Sequence, residues 1–128
     1  MVLICAAGHR LAGSSRVSVD ALGDETFVDF PLGWGTRAIT DRAFAAAGTE
    51  RQVAFEVANY DTAAGLVGHG LGIAFVPASA AAEMPEVARL TVDAPAMTWR
   101  IQVATAAHRR PSAAAQAFLD ELGYLISR

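Results

Sequence analysis

The chain has 128 residues, of which 53% are hydrophobic and 18% are charged, and its net charge is −3. This length suits one domain with its own core, and the composition excludes an intrinsically disordered protein. The negative balance, the lack of lysine and the absence of a basic run longer than Arg109-Arg110 argue against direct contact with nucleic acid.

The sequence shows no sign of a membrane segment or a secretory signal. No apolar run approaches the ~20 residues that cross a bilayer, and no basic region precedes the short apolar run at the N-terminus. We therefore expect a cytoplasmic protein with no membrane partner. Cys5 is the only cysteine, which excludes an internal disulfide, and its branched neighbours favour a buried core position.

Strands and helices alternate along the chain. Apolar or alternating runs predict the strands, while glycines, prolines and capping residues mark the ends of the helices. The predicted strands are 2–6, 27–30, 52–57, 71–76, 87–90 and 99–104, and the predicted helical segments are 17–23, 37–47, the stretch that follows Asn59, 78–83 and 112–127. Pro85 and Pro95 keep the stretch between them rich in loops. This alternation predicts an α/β fold with a mainly parallel sheet.

The stretch 52–77 combines a strand, a polar turn, a short helix and a second strand. Its last strand is a short apolar run closed by Pro77, which suits burial on both faces. Asn59 or Asp61 can cap the helix between the strands. Two strands joined by a helix form a crossover unit, so the turn 57–62 should lie at the carboxyl end of a strand, where open α/β sheets bind ligands.

A glycine loop precedes the helix predicted at 37–47. Its segment GWGTRA, residues 33–38, matches the minimal G-x-G-x-x-A pattern of dinucleotide-binding loops, but Trp34 and Arg37 would crowd a backbone that must approach a pyrophosphate. Free N–H groups at the helix start, beside Thr36, instead favour a seat for a carboxylate or phosphate. The alternative is an ordinary turn in which Thr36 caps the helix, and both interpretations stay open.

No credible catalytic set is found. His9, His69 and His108 are scattered, with no carboxylate or second histidine at metal-ligand spacing. No nucleophile elbow occurs, and the acidic pairs fall on predicted loops or exposed helix positions. The sequence therefore favours a binding module over an enzyme, with no metal and no cofactor.

Four segments carry a family resemblance through their order and spacing. They are GHRLA at 8–12 with VSVDAL at 17–22, FVDF at 27–30 with GTR at 35–37, FAAAG at 44–48, and the stretch 56–77. Over roughly residues 1–106 they resemble the effector-binding domain of LysR-type transcriptional regulators, specifically its second lobe. The segment 112–119 resembles the final helix of that family. Arg10 stands where the family often has a proline, which is a minor departure.

The resemblance implies a periplasmic-binding-protein-like (type 2) lobe, a three-layer α/β/α arrangement with a mainly parallel sheet. It implies that residues 1–106 form the second lobe and that residues 107–128 form a C-terminal helix belonging to the first lobe. It also implies a non-catalytic sensor of a small, often anionic metabolite held between two lobes. By position, the cleft wall on this chain comprises Phe30, Pro31, Gly33, Trp34, Gly35, Thr36, Ala58, Asn59, Tyr60 and Asp61.

Regulators of this family begin with a winged helix-turn-helix that contacts DNA, followed by the first half of the first lobe. Neither precedes Met1, so the chain reads as a fragment in which a ligand would be held from one side only. The last helix would also lose much of its partner surface. Its apolar stripe therefore predicts pairing with a second copy, a homo-oligomer, or a rearranged helix. The stripe comprises Ala115, Phe118, Leu119, Leu122, Leu125 and Ile126.

Two other classes of protein stay open beside the ligand-sensing part of a regulator. A solute-binding protein for transport shares the implied fold, and an enzyme of related α/β architecture is the other alternative. A metabolite retained during purification would favour sensing or transport, whereas turnover lost on changing one Asp or His would favour the enzyme. A helix-turn-helix in the reading frame upstream of Met1 would settle the class.

Overall fold

The computed structural model of the protein describes residues 1–94 and 97–127. Pro95, which the sequence predicts in a loop, and Arg128, the end of the C-terminal segment, lie outside the described residues. The strands are β1 (Val2–Ala6), β2 (Arg16–Ser18), β3 (Thr26–Asp29), β4 (Gln52–Glu56), β5 (Ala74–Val76) and β6 (Val87–Asp93). The helices are α1 (Gly35–Ala47), α2 (Tyr60–Gly68), α3 (Ala78–Ala81) and α4 (Ala113–Ile126), with a short 3₁₀ helix at Val19–Leu22.

All of these strands except β1 run in one direction. β1 pairs antiparallel with β5 and with β6, whereas β2 pairs parallel with β6 and β3 pairs parallel with β4. A parallel bridge between Phe27 and Ile73 connects β3 to the segment that leads into β5. The described strands therefore lie in the order β2-β6-β1-β5-β3-β4. The prediction of an α/β fold with a mainly parallel sheet is confirmed.

The sheet separates two apolar layers, because successive side chains of a strand point to opposite faces. On one face the strands pack against Ile39 and Phe44 of α1, and on the other face against Ala63 and Val67 of α2. This arrangement is the predicted three-layer α/β/α lobe. The strand residues are Leu3, Phe27 and Phe75 on the α1 face and Ile4, Val28 and Val76 on the α2 face.

The helix ends follow the sequence signals closely. α1 stops at Gly48, whose φ of 64° is left-handed, as the sequence predicted for a glycine stop. α2 is capped by Asn59, whose side chain accepts from the N–H of Thr62. The helical turn predicted at 17–23 is only partly right, because Arg16–Ser18 forms β2 and the side chain of Ser18 makes no cap.

The strand predicted at 99–104 is wrong. Residues 97–106 form no strand, and Ile101 and Val103 are 79% and 55% exposed. The alternating pattern suits a strand with one buried face, but a strand also needs a neighbour for its backbone hydrogen bonds. No other strand in the described part of the chain lies beside this segment.

α4 forms as predicted, and its apolar stripe is only partly covered by the described residues, with Leu119 and Leu122 half-buried. Its N-cap is Ser112, whose Oγ accepts from the N–H of Ala115 at 3.2 Å. None of the residues of α4 is buried, and Phe118 and Ile126 are 64% and 77% exposed. Within residues 1–94 and 97–127, no helix combines the length and the hydropathy needed to cross a membrane.

Candidate functional site

Two loops that follow neighbouring strands meet at one edge of the sheet. β3 and β4 are parallel neighbours, so the segment after Asp29 and the turn after Glu56 leave the sheet at the same side. The ring of Phe30 packs edge-on against Tyr60 with centroids 5.0 Å apart, and it stacks on Trp34 at 5.7 Å. The structure thus brings together the two segments that the sequence assigned to one wall.

α1 begins at this edge without a side-chain cap. Its N-cap residue is Trp34, which has an extended backbone and makes no capping hydrogen bond. The first N–H groups of a helix have no carbonyl partner within the helix, and this end carries a partial positive charge. The alternative in which Thr36 caps the helix is wrong, because Thr36 is the second residue of α1.

Thr36 adds a buried hydroxyl group to the same helix end. The residue is 1% exposed, and its Oγ1 atom has no hydrogen-bond partner in the part of the chain that the structure describes. Leaving a buried polar group unsatisfied costs about 1–3 kcal/mol. Such an atom at the uncapped start of a helix is therefore a candidate contact for a ligand oxygen.

The side chain of Tyr60 lies beside Thr36. Burial raises the pKa of Tyr60 above its ordinary value, and the Thr36 hydroxyl has a smaller, opposing effect on that pKa. The Thr36 side chain therefore lies close to the phenol of Tyr60, while its Oγ1 atom completes no hydrogen bond among the described residues. At neutral pH Tyr60 is protonated, so its phenol can donate a hydrogen bond to an anion at this edge.

The start of α2 lies at the same edge, and one backbone N–H group of its first turn already has a hydrogen-bond acceptor. Oδ1 of Asn59 accepts from the N–H of Thr62 at 2.7 Å. The amide N–H groups of Asn59 make no bond within the described residues and can donate to a ligand. Ala58 and Asp61 are exposed on either side of Asn59 and Tyr60.

The remaining predicted residues shape the loop through their backbone. The carbonyl of Pro31 accepts from the N–H of Trp34 at 3.2 Å, which closes a tight turn. Gly33 in this turn has φ of 93°, a conformation that favours glycine. Gly35 is exposed and lies against the indole of Trp99, from the segment that follows β6.

Charged side chains hold both backbone groups of Phe30. Its N–H donates to Oδ1 of Asp29 at 2.8 Å, and its carbonyl accepts from Nη1 of Arg37 at 3.0 Å. Arg37 also donates through Nε to Asp41, one turn further along α1, at 3.2 Å. The start of the loop is thus fixed to α1 as well as to β3.

Arg51, the residue immediately before β4, contacts the same carboxylates. Its side chain is 7% exposed, and its Nη2 pairs with Oδ2 of Asp29 and, at 2.6 Å, with Oδ1 of Asp41. Its guanidinium also lies over the ring of Phe44, 5.2 Å from the centroid. We call Asp29, Asp41, Arg37 and Arg51 the anchor network.

Sequence reasoning missed the anchor network as a support of the site. The available signal was the spacing of Arg37 and Asp41, since residues four apart on a helix are neighbours. The contact between Arg51 and Asp29 joins residues 22 positions apart. No local pattern could have indicated it, because it depends on the pairing of β3 with β4.

The fold is that of a type 2 periplasmic-binding-protein-like lobe, and comparison with known proteins identifies the family. The chain matches the LysR substrate binding domain over residues 1–125, and it belongs to that family. It is 28% identical over 119 residues to YybE, an uncharacterized HTH-type transcriptional regulator of Bacillus subtilis (strain 168). That alignment covers 93% of this chain and 40% of the relative.

Solved LysR regulatory domains share the fold. The CcmR regulatory domain of Synechocystis PCC6803, in complex with 2-PG, matches with a TM-score of 0.80 at 24% identity, over 97% of this chain and 61% of that one. The effector binding domain of QuiR, in complex with shikimate, matches with a TM-score of 0.77 at 24% identity, over 93% of this chain and 57% of that one. HinK of Pseudomonas aeruginosa, a LysR family transcriptional regulator, matches with a TM-score of 0.75 at 22% identity, over 93% of this chain and 42% of that one.

These comparisons confirm the resemblance carried by the four sequence segments. At such identities the structural likeness shows the fold alone. The chain spans 40% of the curated relative and between 42% and 61% of the three solved chains, and the described residues include no DNA-binding domain.

Proposed function

We propose that this chain is the effector-sensing second lobe of a LysR-type transcriptional regulator, and that it acts without catalysis in the cytoplasm. The observation that carries the proposal is the buried hydroxyl of Thr36, which has no hydrogen-bond partner among the described residues, at the uncapped start of α1. In this proposal residues 1–106 form the lobe, and residues 107–128 pack on the first lobe of the same regulator. DNA is bound through a helix-turn-helix domain of the regulator and not by this segment.

The effector of this proposal is a small organic anion. Its acidic group accepts hydrogen bonds from the first N–H groups of α1 and from the hydroxyl of Thr36, with help from the partial positive charge of the helix start. Tyr60 and Asn59 provide further donors from the start of α2. The stacked rings of Phe30 and Trp34 form an apolar wall for the body of the ligand.

The solved relatives support an anion of this kind. The QuiR domain was solved with shikimate. The BenM effector binding domain, which matches this chain with a TM-score of 0.62 at 23% identity, was solved with its effector benzoate. Both ligands combine one acidic group with a compact ring. The same two features fit the helix start and the aromatic wall of this chain.

The proposed signal is closure of two lobes around the effector. A ligand shifts such an equilibrium only by the difference between its affinities for the two states. The anchor network holds the loop at Phe30 in place before a ligand arrives. Binding free energy is therefore available for the closure of the opposite lobe rather than for ordering this loop.

Thr36→Val is expected to weaken anion binding without weakening the fold. Valine keeps the shape of threonine, so removal of an unpartnered buried hydroxyl should leave the free energy of unfolding unchanged or slightly higher. The lost contact with a charged ligand group should raise the Kd for benzoate or shikimate about tenfold, which corresponds to ~1.4 kcal/mol. Calorimetric titration and urea unfolding measure the two effects.

Thr36→Ser is the matched control, because it keeps the hydroxyl group and should retain most of the affinity.

Asn59→Ala in the same titration should also weaken binding, with a loss of about 1 kcal/mol of stability from the missing cap. In the intact regulator both variants should weaken the effector response and leave DNA affinity intact. Equal affinities of wild type and Thr36→Val for every bound anion would contradict the site.

A further inference from the structure

A second set of donors, which have no partner among the described residues, lies beside the start of α1. A groove of about 260 Å³ runs between α1 and the segment that follows β6. Its polar lining comes from Arg42 of α1 and from Thr98, Trp99 and Arg100 of that segment, over a floor that includes Ile39. We call it the α1–Trp99 groove.

Among the described residues, the two arginines of this groove have no counter-ion. Neither guanidinium forms an ion pair or hydrogen bond within the described residues, and no carboxylate lines the groove. Both arginines are exposed, and two positive charges that line one groove favour an anion there. This contrasts with the arginines that pair with carboxylates elsewhere in the chain, which are Arg10, Arg16, Arg37 and Arg51.

Trp99 covers the first residue of α1. A Cβ atom added to Gly35 would lie 3.0 Å from Nε1 of Trp99, so the N–H edge of the indole faces the helix start. Only glycine allows this approach without displacing the ring. The indole N–H makes no hydrogen bond within the described residues, and it therefore stands as a donor next to the positive end of α1.

We propose that the α1–Trp99 groove is a second anion site, which takes a phosphate or carboxylate group between Arg42, Arg100 and the indole N–H of Trp99. This site goes beyond the effector edge at Thr36 and does not require that edge to be occupied. Its consequence is mechanical, because an anion here ties the segment after β6 to α1. That segment leads into the C-terminal helix α4.

The test is a titration of the ¹⁵N-labelled chain with inorganic phosphate, and separately with malonate, at constant ionic strength. The chain has two tryptophans, so its spectrum has two indole N–H signals, and Trp34→Phe identifies the one from Trp99. A saturable shift of the Trp99 signal is expected with one or both anions. A shift with phosphate alone would indicate that the groove binds a phosphoryl group, and a shift with malonate alone would indicate that it binds a dicarboxylate.

Arg42→Gln and Arg100→Gln should each raise the Kd of the effective anion about threefold, as for one exposed ion pair, and the double variant about tenfold. Arg16→Gln is the matched control, since it removes the same charge from β2, outside the groove. Thr36→Val should leave the Trp99 shift unchanged, which separates this site from the effector edge. Absence of a saturable Trp99 shift, a double variant that behaves like Arg16→Gln, or loss of the shift in Thr36→Val would each overturn the proposal.

Discussion

Replacing Arg51 with methionine should lower the free energy of unfolding by about 3 kcal/mol. The change leaves the buried carboxylate of Asp29 without its closest cation, and breaking a buried ion pair on one side costs roughly 3–5 kcal/mol. We expect the low end, because Nε of Arg37 remains 3.6 Å from Oδ2 of Asp29. Urea unfolding followed by circular dichroism measures the shift in midpoint at constant slope.

The double variant Asp29→Asn with Arg51→Met provides the control for this prediction. The asparagine side chain can still accept from the N–H of Phe30, and no charge is then left buried without a partner. It should therefore recover much of the stability lost in the single variant. If Arg51→Met alone were as stable as wild type, the anchor network would not hold the loop at Phe30.

Replacing Gly72 with alanine should cost a similar amount, about 2–3 kcal/mol, for a steric reason. A Cβ at this buried position would lie 2.8 Å from the backbone oxygen of Thr26, which accepts the N–H of Ile73 at 2.9 Å. The new methyl group must push β3 away from the segment before β5. That movement also strains the bond from the N–H of Val28 to the carbonyl of Ile73.

Gly8→Ala serves as the comparison, since a Cβ at that position meets nothing within 4 Å. It should change the free energy of unfolding by no more than about 0.5 kcal/mol, as surface substitutions usually do. Thermal or urea unfolding of both variants distinguishes the two positions. Equal stability of Gly72→Ala and Gly8→Ala would mean that β3 and β5 do not approach each other as closely as described.

Local signals were sufficient to predict most of the elements. Apolar runs located β1, β3 and β5 because each of them is buried on both faces. Gly48 ends α1 because the left-handed conformation there favours glycine, and Asn59 caps α2 because its short side chain reaches the N–H of Thr62. These features depend on residues that are close together in the sequence, so local sequence patterns are enough to predict them.

Long-range pairing was the part that the sequence could not predict. The antiparallel placement of β1 between β5 and β6 joins residues more than 70 positions apart, such as Val2 and Val76. The wrong prediction of a strand at 99–104 has the same cause. The alternation that includes Ile101 and Val103 indicates one buried side of a strand, but it cannot indicate which other strand would pair with it. A missing partner is expected if this segment and α4 belong with another lobe, which stays a prediction.

The approach of the two predicted wall segments was predictable, but the chemistry at this edge was predictable only in part. Because parallel neighbouring strands place their following loops at one edge, the sequence predicts that the segments around Phe30 and Tyr60 lie together, and the contact between the two rings confirms this proximity. The state of the Thr36 hydroxyl could not be predicted. Its lack of a partner depends on how Tyr60 and α1 pack around it.

The most direct test of the central claim is an amide-resolved titration of the ¹⁵N-labelled chain with benzoate or shikimate. If the acidic group binds at the start of α1, the largest shifts should fall on the N–H groups of Gly35, Thr36 and Arg37, with smaller shifts at Tyr60. Thr36→Val should reduce these shifts at a fixed ligand concentration. Saturable shifts confined to residues away from this edge, such as those of 103–119, would contradict the proposed effector site.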